Sequence, residues 1–117
     1  MIQRYEVEAW LGPALDNMTA EQVPAFARMV EAIGDRYPDA DEAGMRELAS
    51  SGALLVMLRD STLEAIAAEW QLAKRTEREA MAMLTGAIIA AAEGDTAVGI
   101  AKRAGVARET VRKALGK

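Results

Sequence analysis

The stretch that decides the fold of this 117-residue chain lies near its end, where residues 97–116 read AVGIAKRAGVARETVRKALG. Apolar residues recur at helical spacing on both sides of Gly105, which predicts two short helices, 97–104 and 107–115. Glycine adopts a positive φ without steric penalty, so Gly105 is expected at the turn between them. Ala101 is expected where the helices cross, because a larger side chain would push them apart. The residues expected to fill the core between the helices are Ile100, Ala104, Val106, Val111 and Leu115.

The residues just before this stretch predict a third helix and the link to it. Asp95 or Thr96 can cap the helix that begins at 97, and Gly94 can end the helix before it. Apolar positions at helical spacing extend this earlier helix over about 77–93. The sequence therefore predicts a three-helix unit over 76–117, preceded by a separate helical region over 1–75.

Residues 97–116 resemble the helix-turn-helix of small bacterial, phage and plasmid DNA-binding regulators, and the resemblance extends loosely to the helix before them. It implies that helix 107–115 enters the major groove of double-stranded DNA. In that orientation the side chains expected to contact base edges are Ala107, Arg108, Glu109 and Arg112. Those expected to contact phosphates are Lys102, Arg103, Lys113 and Lys117. The structural positions of the motif are Ala101, Gly105 and Val111.

The charge of the chain is segregated along its length. The net charge is −4, but residues 97–117 carry six basic side chains against one acidic side chain, a net of +5, whereas residues 1–96 carry a net of −9. Segregation of this kind is typical of a chain in which one part binds a polyanion and the other part has a different function.

Composition excludes several classes of function. The chain has neither cysteine nor histidine, so it has no disulfide, no thiolate or imidazole metal site and no histidine base to activate Ser50, Ser51 or Ser61. An enzyme is therefore the least expected class, and no cofactor or metal is expected. No apolar run is long enough to cross a bilayer, and residues 1–20 lack the pattern of a signal peptide. We expect a cytoplasmic, nucleoid-associated protein.

Residues 1–75 are predicted to be helical as well, so the expected fold class is all-α. Capping boxes are indicated by Thr19 with Gln22, Asp39 with Glu42, and Ser61 with Glu64. A helix that begins near Thr19 is expected to end at Tyr37, because a residue before proline avoids the α region. A metal site at Asp39, Asp41 and Glu42 is the alternative to a capped and solvated helix start, and the cap is favoured.

Two segments leave alternatives open. Residues 2–11 fit a short strand and a short helix equally well by spacing, and a helix ending near Leu11, before Gly12-Pro13, is favoured. The polar run 74–79 either lies in the middle of one long helix or separates two helices, with Thr76 and Glu79 as a new cap.

Several packing roles follow from the apolar pattern. The run 53–58 is apolar on all sides, so it is expected to be deeply buried in a core or a subunit interface. Trp70 is expected to anchor a core. Lys74, Arg75 and Arg78 are expected on a solvated face rather than on phosphates. The methionines expected to fill core gaps are Met29, Met45, Met57, Met81 and Met83.

Three functions are compatible with this pattern. The first is a dimeric, sequence-specific repressor with residues 1–75 as the dimerisation part and no wing after the last helix. The second is an architectural, partition or recruitment protein with the same DNA-binding unit. The third is an adaptor that binds a protein partner through the acidic surface of residues 1–75. Salt-sensitive binding to duplex DNA would distinguish the first two from the third.

Overall fold

The computed structural model describes residues 3–117, and over this range it is all-α, as predicted, with six α-helices, two short 3₁₀ helices and no strand. The α-helices are α1 (Arg4–Leu11), α2 (Gln22–Arg36), α3 (Ala43–Met57), α4 (Leu63–Ala91), α5 (Ala97–Ala104) and α6 (Arg108–Ala114). The 3₁₀ helices are Gly12–Asn17, after α1, and Ala40–Glu42, before α3. None of these helices is long and apolar enough to cross a membrane.

The chain divides into two compact units within α4. The first unit ends at Ala68, and the second comprises Glu69–Lys117. The boundary predicted after residue 75 also falls inside α4, which is one continuous helix of 29 residues. The alternative of two helices separated at Thr76 is therefore wrong, because the polar run 74–79 continues the backbone hydrogen bonding of a single helix.

The first described residues form a helix rather than a strand. Residues 4–11 are α1, which confirms the favoured interpretation; residue 2 of the ambiguous segment lies outside the described range. The helix ends where Gly12 takes a φ of 53°, a conformation that other residues rarely adopt. Pro13 then lies in the first turn of the 3₁₀ helix, where its missing N–H costs no hydrogen bond.

Two of the three predicted capping boxes form, and the third is replaced by a single side-chain cap one residue later. The Thr19 amide donates to Gln22 Oε1 at 2.9 Å, and the Gln22 amide donates to Thr19 Oγ1 at 3.2 Å. Asp39 and Glu42 make the same reciprocal pair, so these carboxylates cap the start of a helix. The helix before them, α2, ends before Tyr37, as expected. At α4 the cap is Thr62 rather than Ser61, since Thr62 Oγ1 accepts from the amide of Ala65 at 3.1 Å.

The core of the first unit is small and centred on one aromatic side chain. Phe26 is fully buried and packs with Val7 and Leu11, while the Trp10 ring stacks on Phe26 with centroids 5.6 Å apart. Partly buried residues complete this core, and they are Ala14, Leu15, Met18, Ala27, Val30, Ala53, Leu54 and Met57.

The expected deep burial of the run 53–58 is wrong for the single chain. None of its six residues is buried, and Leu55 and Val56 are 41% and 40% exposed. The reason is geometric: only one side of α3 meets the Phe26 core, and Leu54 and Met57 occupy that side. The opposite side of the run faces outward.

The middle of α4 has no buried residue at all. Residues 67–83 are exposed on every side of the helix. Trp70, predicted to anchor a core, is 57% exposed, and the Lys74 ammonium lies 4.3 Å from the centroid of its ring. Lys74, Arg75 and Arg78 lie on this solvated segment.

The predicted gap-filling role is wrong for four methionines, Met29, Met45, Met81 and Met83, which are exposed; Met57 does pack against a core.

The end of α3 contains a strained backbone position. Arg59 has a φ of 61°, although it is not a glycine, and the Asp60 amide donates to the Leu55 carbonyl at 2.9 Å. This left-handed residue closes the end of α3 in the way that glycine usually does.

Candidate nucleic-acid interface

The second unit packs the end of α4 against α5 and α6 around an aliphatic core. Ile88, Ile100, Ala101 and Val111 are buried in it, and Val111 is completely inaccessible. The partly buried residues around it are Leu84, Ala91, Ala92, Ala97, Val106, Ala114 and Leu115. Four of the five residues predicted for this core therefore contribute to it. Ala104 does not, because it is exposed at the edge of a groove between α4 and α5.

The start of α5 is fixed by a side-chain cap. Thr96 Oγ1 accepts from the amide of Gly99 at 3.1 Å, so Thr96, rather than Asp95, is the N-cap residue. Gly94, predicted to end the preceding helix, lies in the turn that follows it. The last helical residue of α4 is Ala91, and Gly94 has no positive φ.

The connection between α5 and α6 depends on a left-handed glycine. Gly105 has φ 70° and ψ 30°, and its amide and that of Val106 donate to the Ala101 carbonyl at 3.0 and 3.1 Å. These bonds end α5 and turn the chain within two residues, so that α6 begins at Arg108. The buried Ala101 lies on the side of α5 that meets the shared core.

α6 ends in the same type of glycine turn as α5. Gly116 has a φ of 76°, and the amide of Lys117 donates to the carbonyl of Arg112 at 2.9 Å. Both short helices are therefore closed by a left-handed glycine whose following amide returns to the helix. This second turn was not predicted, although the pair Leu115-Gly116 after an apolar stripe is a typical signal for it.

All eight residues predicted to contact DNA are exposed. On α6 the residues Arg108, Glu109, Arg112 and Lys113 are all exposed. Glu109 and Lys113 lie on the side opposite the buried Val111, Arg112 lies between the two sides, and Arg108, three residues before Val111, begins the helix at the edge of the packed side. Ala107 is the N-cap of α6. The remaining positions lie on α5 or after α6, and they are Lys102, Arg103 and Lys117. The unit therefore has one aliphatic side and one predominantly basic side.

Three of the predicted contact residues, Arg103, Glu109 and Arg112, already form ion pairs within the unit. Arg103 Nη1 lies 3.0 Å from Asp95 Oδ2, with the arginine side chain 69% exposed and the aspartate 27% exposed. Arg112 Nη1 lies 3.9 Å from Glu109 Oε2, a longer and more exposed contact. Exposed pairs of this kind contribute little to stability, so their arginines remain free to exchange partners.

Asp95 organises the start of α5 in a way that the sequence analysis missed. Its carboxylate accepts from the Arg103 guanidinium and from the Thr96 amide at 2.7 Å, and these bonds hold the pKa of Asp95 below its ordinary value. The carboxylate passes over Gly99, so a Cβ added there would overlap Oδ1 unless the Asp95 side chain moved. The separation of eight residues between Asp95 and Arg103 gives no simple helical signal.

No known protein family, characterised protein or solved structure matches this chain. The described residues contain no group of three acidic, histidine or cysteine side chains arranged to hold a metal ion. Any functional assignment must therefore come from the geometry and charge of the chain itself.

Proposed function

We propose that this protein is a sequence-specific, double-stranded DNA-binding regulator, a dimeric repressor that inserts α6 into the major groove. One observation carries this proposal: α6 turns Val111 into the core and leaves Arg108, Arg112 and Lys113 exposed to solvent. A short helix that is anchored on one side and basic on the other has the properties needed for entering the groove of a polyanion.

Base readout would come from the exposed side of α6. Arg108 and Arg112 are separated by one turn and project in similar directions, so each can donate two hydrogen bonds to guanine O6 and N7. Glu109 can accept from cytosine N4, and the Ala107 methyl can contact a thymine methyl.

Phosphate contacts would come from the residues around this helix. Lys102, Lys113 and Lys117 are exposed and have no ion-pair partner among residues 3–117. Arg103 differs, since it must exchange Asp95 for a phosphate oxygen. We therefore expect Lys102 to contribute more than Arg103 to the salt dependence of binding.

The dimer in this proposal is supported by exposed apolar side chains. A single helix-turn-helix reads too few base pairs to select one genomic site, and a dimer places two recognition helices roughly 34 Å apart. Leu55, Val56 and Trp70 are exposed in the single chain, which is expected of residues that a second copy covers. Sedimentation equilibrium at micromolar concentration should give about twice 12.5 kDa. A monomer at all concentrations would contradict the dimer.

The first test is the selection of bound sequences from random duplex DNA by the full chain. The proposal predicts a palindromic consensus whose half-sites are separated by about one helical turn. Selection without any consensus, together with salt-sensitive binding, would indicate the architectural function instead. Failure to bind duplex DNA at low salt would contradict the proposal and favour the adaptor.

The second test separates base readout from electrostatic attraction. Arg112→Ala should cost about 1–3 kcal/mol on the selected site and relax the preference for one base there. Lys102→Ala should weaken binding to all sequences alike and lower the salt slope by about one unit. Arg28→Ala removes an exposed charge from the first unit and is the matched control, with no expected effect. If Arg112→Ala weakens selected and scrambled DNA equally, α6 is not oriented as proposed.

A further inference from the structure

The first unit contains an open cavity of about 480 Å³ between α1, α2 and α3. This volume lies within the range of about 300–1,000 Å³ that small-molecule sites occupy in proteins. The cavity belongs entirely to the first unit, so it is separate from the basic surface around α6.

The walls of the cavity are apolar and aromatic. Val7, Trp10, Phe26 and Val30 form them, and the Trp10 ring, which stacks on the fully buried Phe26, is the aromatic surface that remains accessible. Ser50, which is only 5% exposed, is the one buried polar residue of the lining. The site therefore offers an aromatic ring, apolar walls and one hydroxyl group.

The charge at the cavity is strongly negative. Four carboxylates line it, and none of them forms an ion pair with a lysine or arginine of residues 3–117; they are Glu6, Glu31, Asp35 and Glu47. The single basic residue of the lining is Arg46, which gives a net charge of −3. Arg46 Nη1 is directed to the backbone, where it donates to the carbonyls of Tyr37 and Asp39 at 2.5 and 2.7 Å.

We propose that this cavity binds a small organic cation with apolar or aromatic substituents. Aromatic faces attract cations through the negative charge of the ring face, and unpaired carboxylates at the rim add Coulomb attraction. The same charges repel anions. A small hydrated inorganic cation would make no favourable contact with the apolar walls. This site does not depend on DNA binding, and its test is independent of that function.

The experiment compares two probes of the same size and shape but opposite charge. Tetraphenylphosphonium and tetraphenylborate are titrated into the full chain, and tryptophan fluorescence is recorded. The chain carries the exposed Trp70→Phe substitution, so that the signal reports Trp10 alone. The expected result is saturable quenching by the cation and no saturable binding of the anion.

A matched pair of triple variants locates the site. The substitutions Glu31→Gln, Asp35→Asn and Glu47→Gln remove three carboxylates from the cavity, and we expect about tenfold weaker binding of the cation. The control substitutions Asp16→Asn, Glu21→Gln and Asp60→Asn remove the same charge from exposed positions of the first unit outside the cavity. The control variant should bind as the parent chain does.

Three results would overturn the proposal. The first is equal affinity for both probes, which would indicate apolar contact without charge selection. The second is an equal loss in both triple variants, which would indicate attraction to net charge only. The third is the absence of saturable quenching in the parent chain. Circular dichroism of each variant verifies that the helices persist, and amide substitutions at exposed positions preserve size and hydrogen-bonding capacity.

Discussion

The two units of this protein are built from the same secondary structure but differ in charge and in core. Up to Ala68 the chain has 12 acidic and 5 basic side chains, a net of −7, whereas Glu69–Lys117 has 6 acidic and 9 basic side chains, a net of +3. The first core surrounds an aromatic ring and leaves a cavity beside it, and the second is aliphatic. Helical patterning is therefore common to both units and specifies the class of fold, whereas the charge of the exposed residues and the type of side chain in the core differ between them.

The largest effect is expected from emptying the first core. Phe26→Ala should destabilise the first unit by about 3–5 kcal/mol, because Phe26 is fully buried and no neighbouring side chain can replace its ring. Hydrogen exchange should show loss of protection in α1–α3, while α5 and α6 stay protected. Met29→Ala on the same helix is the control, since Met29 is exposed. Loss of protection in α6 as well would show that the two cores are coupled.

A smaller effect is expected at the turn of the second unit. Gly105→Val should destabilise this unit by about 1–3 kcal/mol, because a β-branched residue fits poorly at φ 70°. Hydrogen exchange in α5 and α6 should increase, and α1–α3 should be unaffected. Gly86→Ala is the matched control: an added Cβ there meets nothing, and alanine favours the helix by about 0.5–1 kcal/mol. Unchanged melting of Gly105→Val would contradict the assigned turn.

Arg59, the left-handed residue of the first unit, allows a substitution that is expected to stabilise the protein rather than destabilise it. Arg59→Gly should stabilise the first unit by up to about 1 kcal/mol, because glycine removes the steric cost of φ 61°. Urea denaturation should show a higher midpoint. Arg28→Gly, inside α2, should instead cost about 1 kcal/mol. A lower midpoint for Arg59→Gly would mean that contacts of the arginine side chain outweigh its backbone strain.

The smallest expected effect concerns pH. The pKa of Asp95 is lowered by its bonds to Arg103 and to the Thr96 amide, so the folded state favours the ionised carboxylate. The resulting stability is present above the ordinary pKa of 3.8 and is lost as the pH falls through the lower folded value. In Asp95→Asn this part of the acid response of the second unit should be absent, as measured by thermal melting against pH. An identical acid response in both proteins would contradict the assignment.

The sequence predicted the helices well and their packing less well. Local signals sufficed for the two reciprocal caps at Thr19 and Asp39, for the end of α2 before Pro38 and for the turn at Gly105, because each depends on a few adjacent residues. Burial depends on which side of a helix packs against a neighbour, and this is why the expected burial of Leu55 and the expected core position of Trp70 are wrong for the single chain.

The two candidate sites, the basic surface of α6 and the acidic cavity, also differ in how far the sequence predicts them. The exposed positions of α6 follow from helical spacing once Val111 is assigned to the core. The pair Asp95–Arg103 and the acidic cavity bring together residues that are distant in sequence, and no local pattern marks them.

The exposed middle of α4 has a consequence for the lifetime of the chain. Residues 67–83 rely on their own backbone hydrogen bonds, and a helix without tertiary contacts opens at little cost in free energy. Lys74, Arg75 and Arg78 lie in this segment and are the residue types after which trypsin cleaves. Brief digestion of the native protein should therefore cut here first and leave two resistant fragments. In a cell, the same transient opening would expose the chain to proteases, and a partner that covered the segment would prolong its survival.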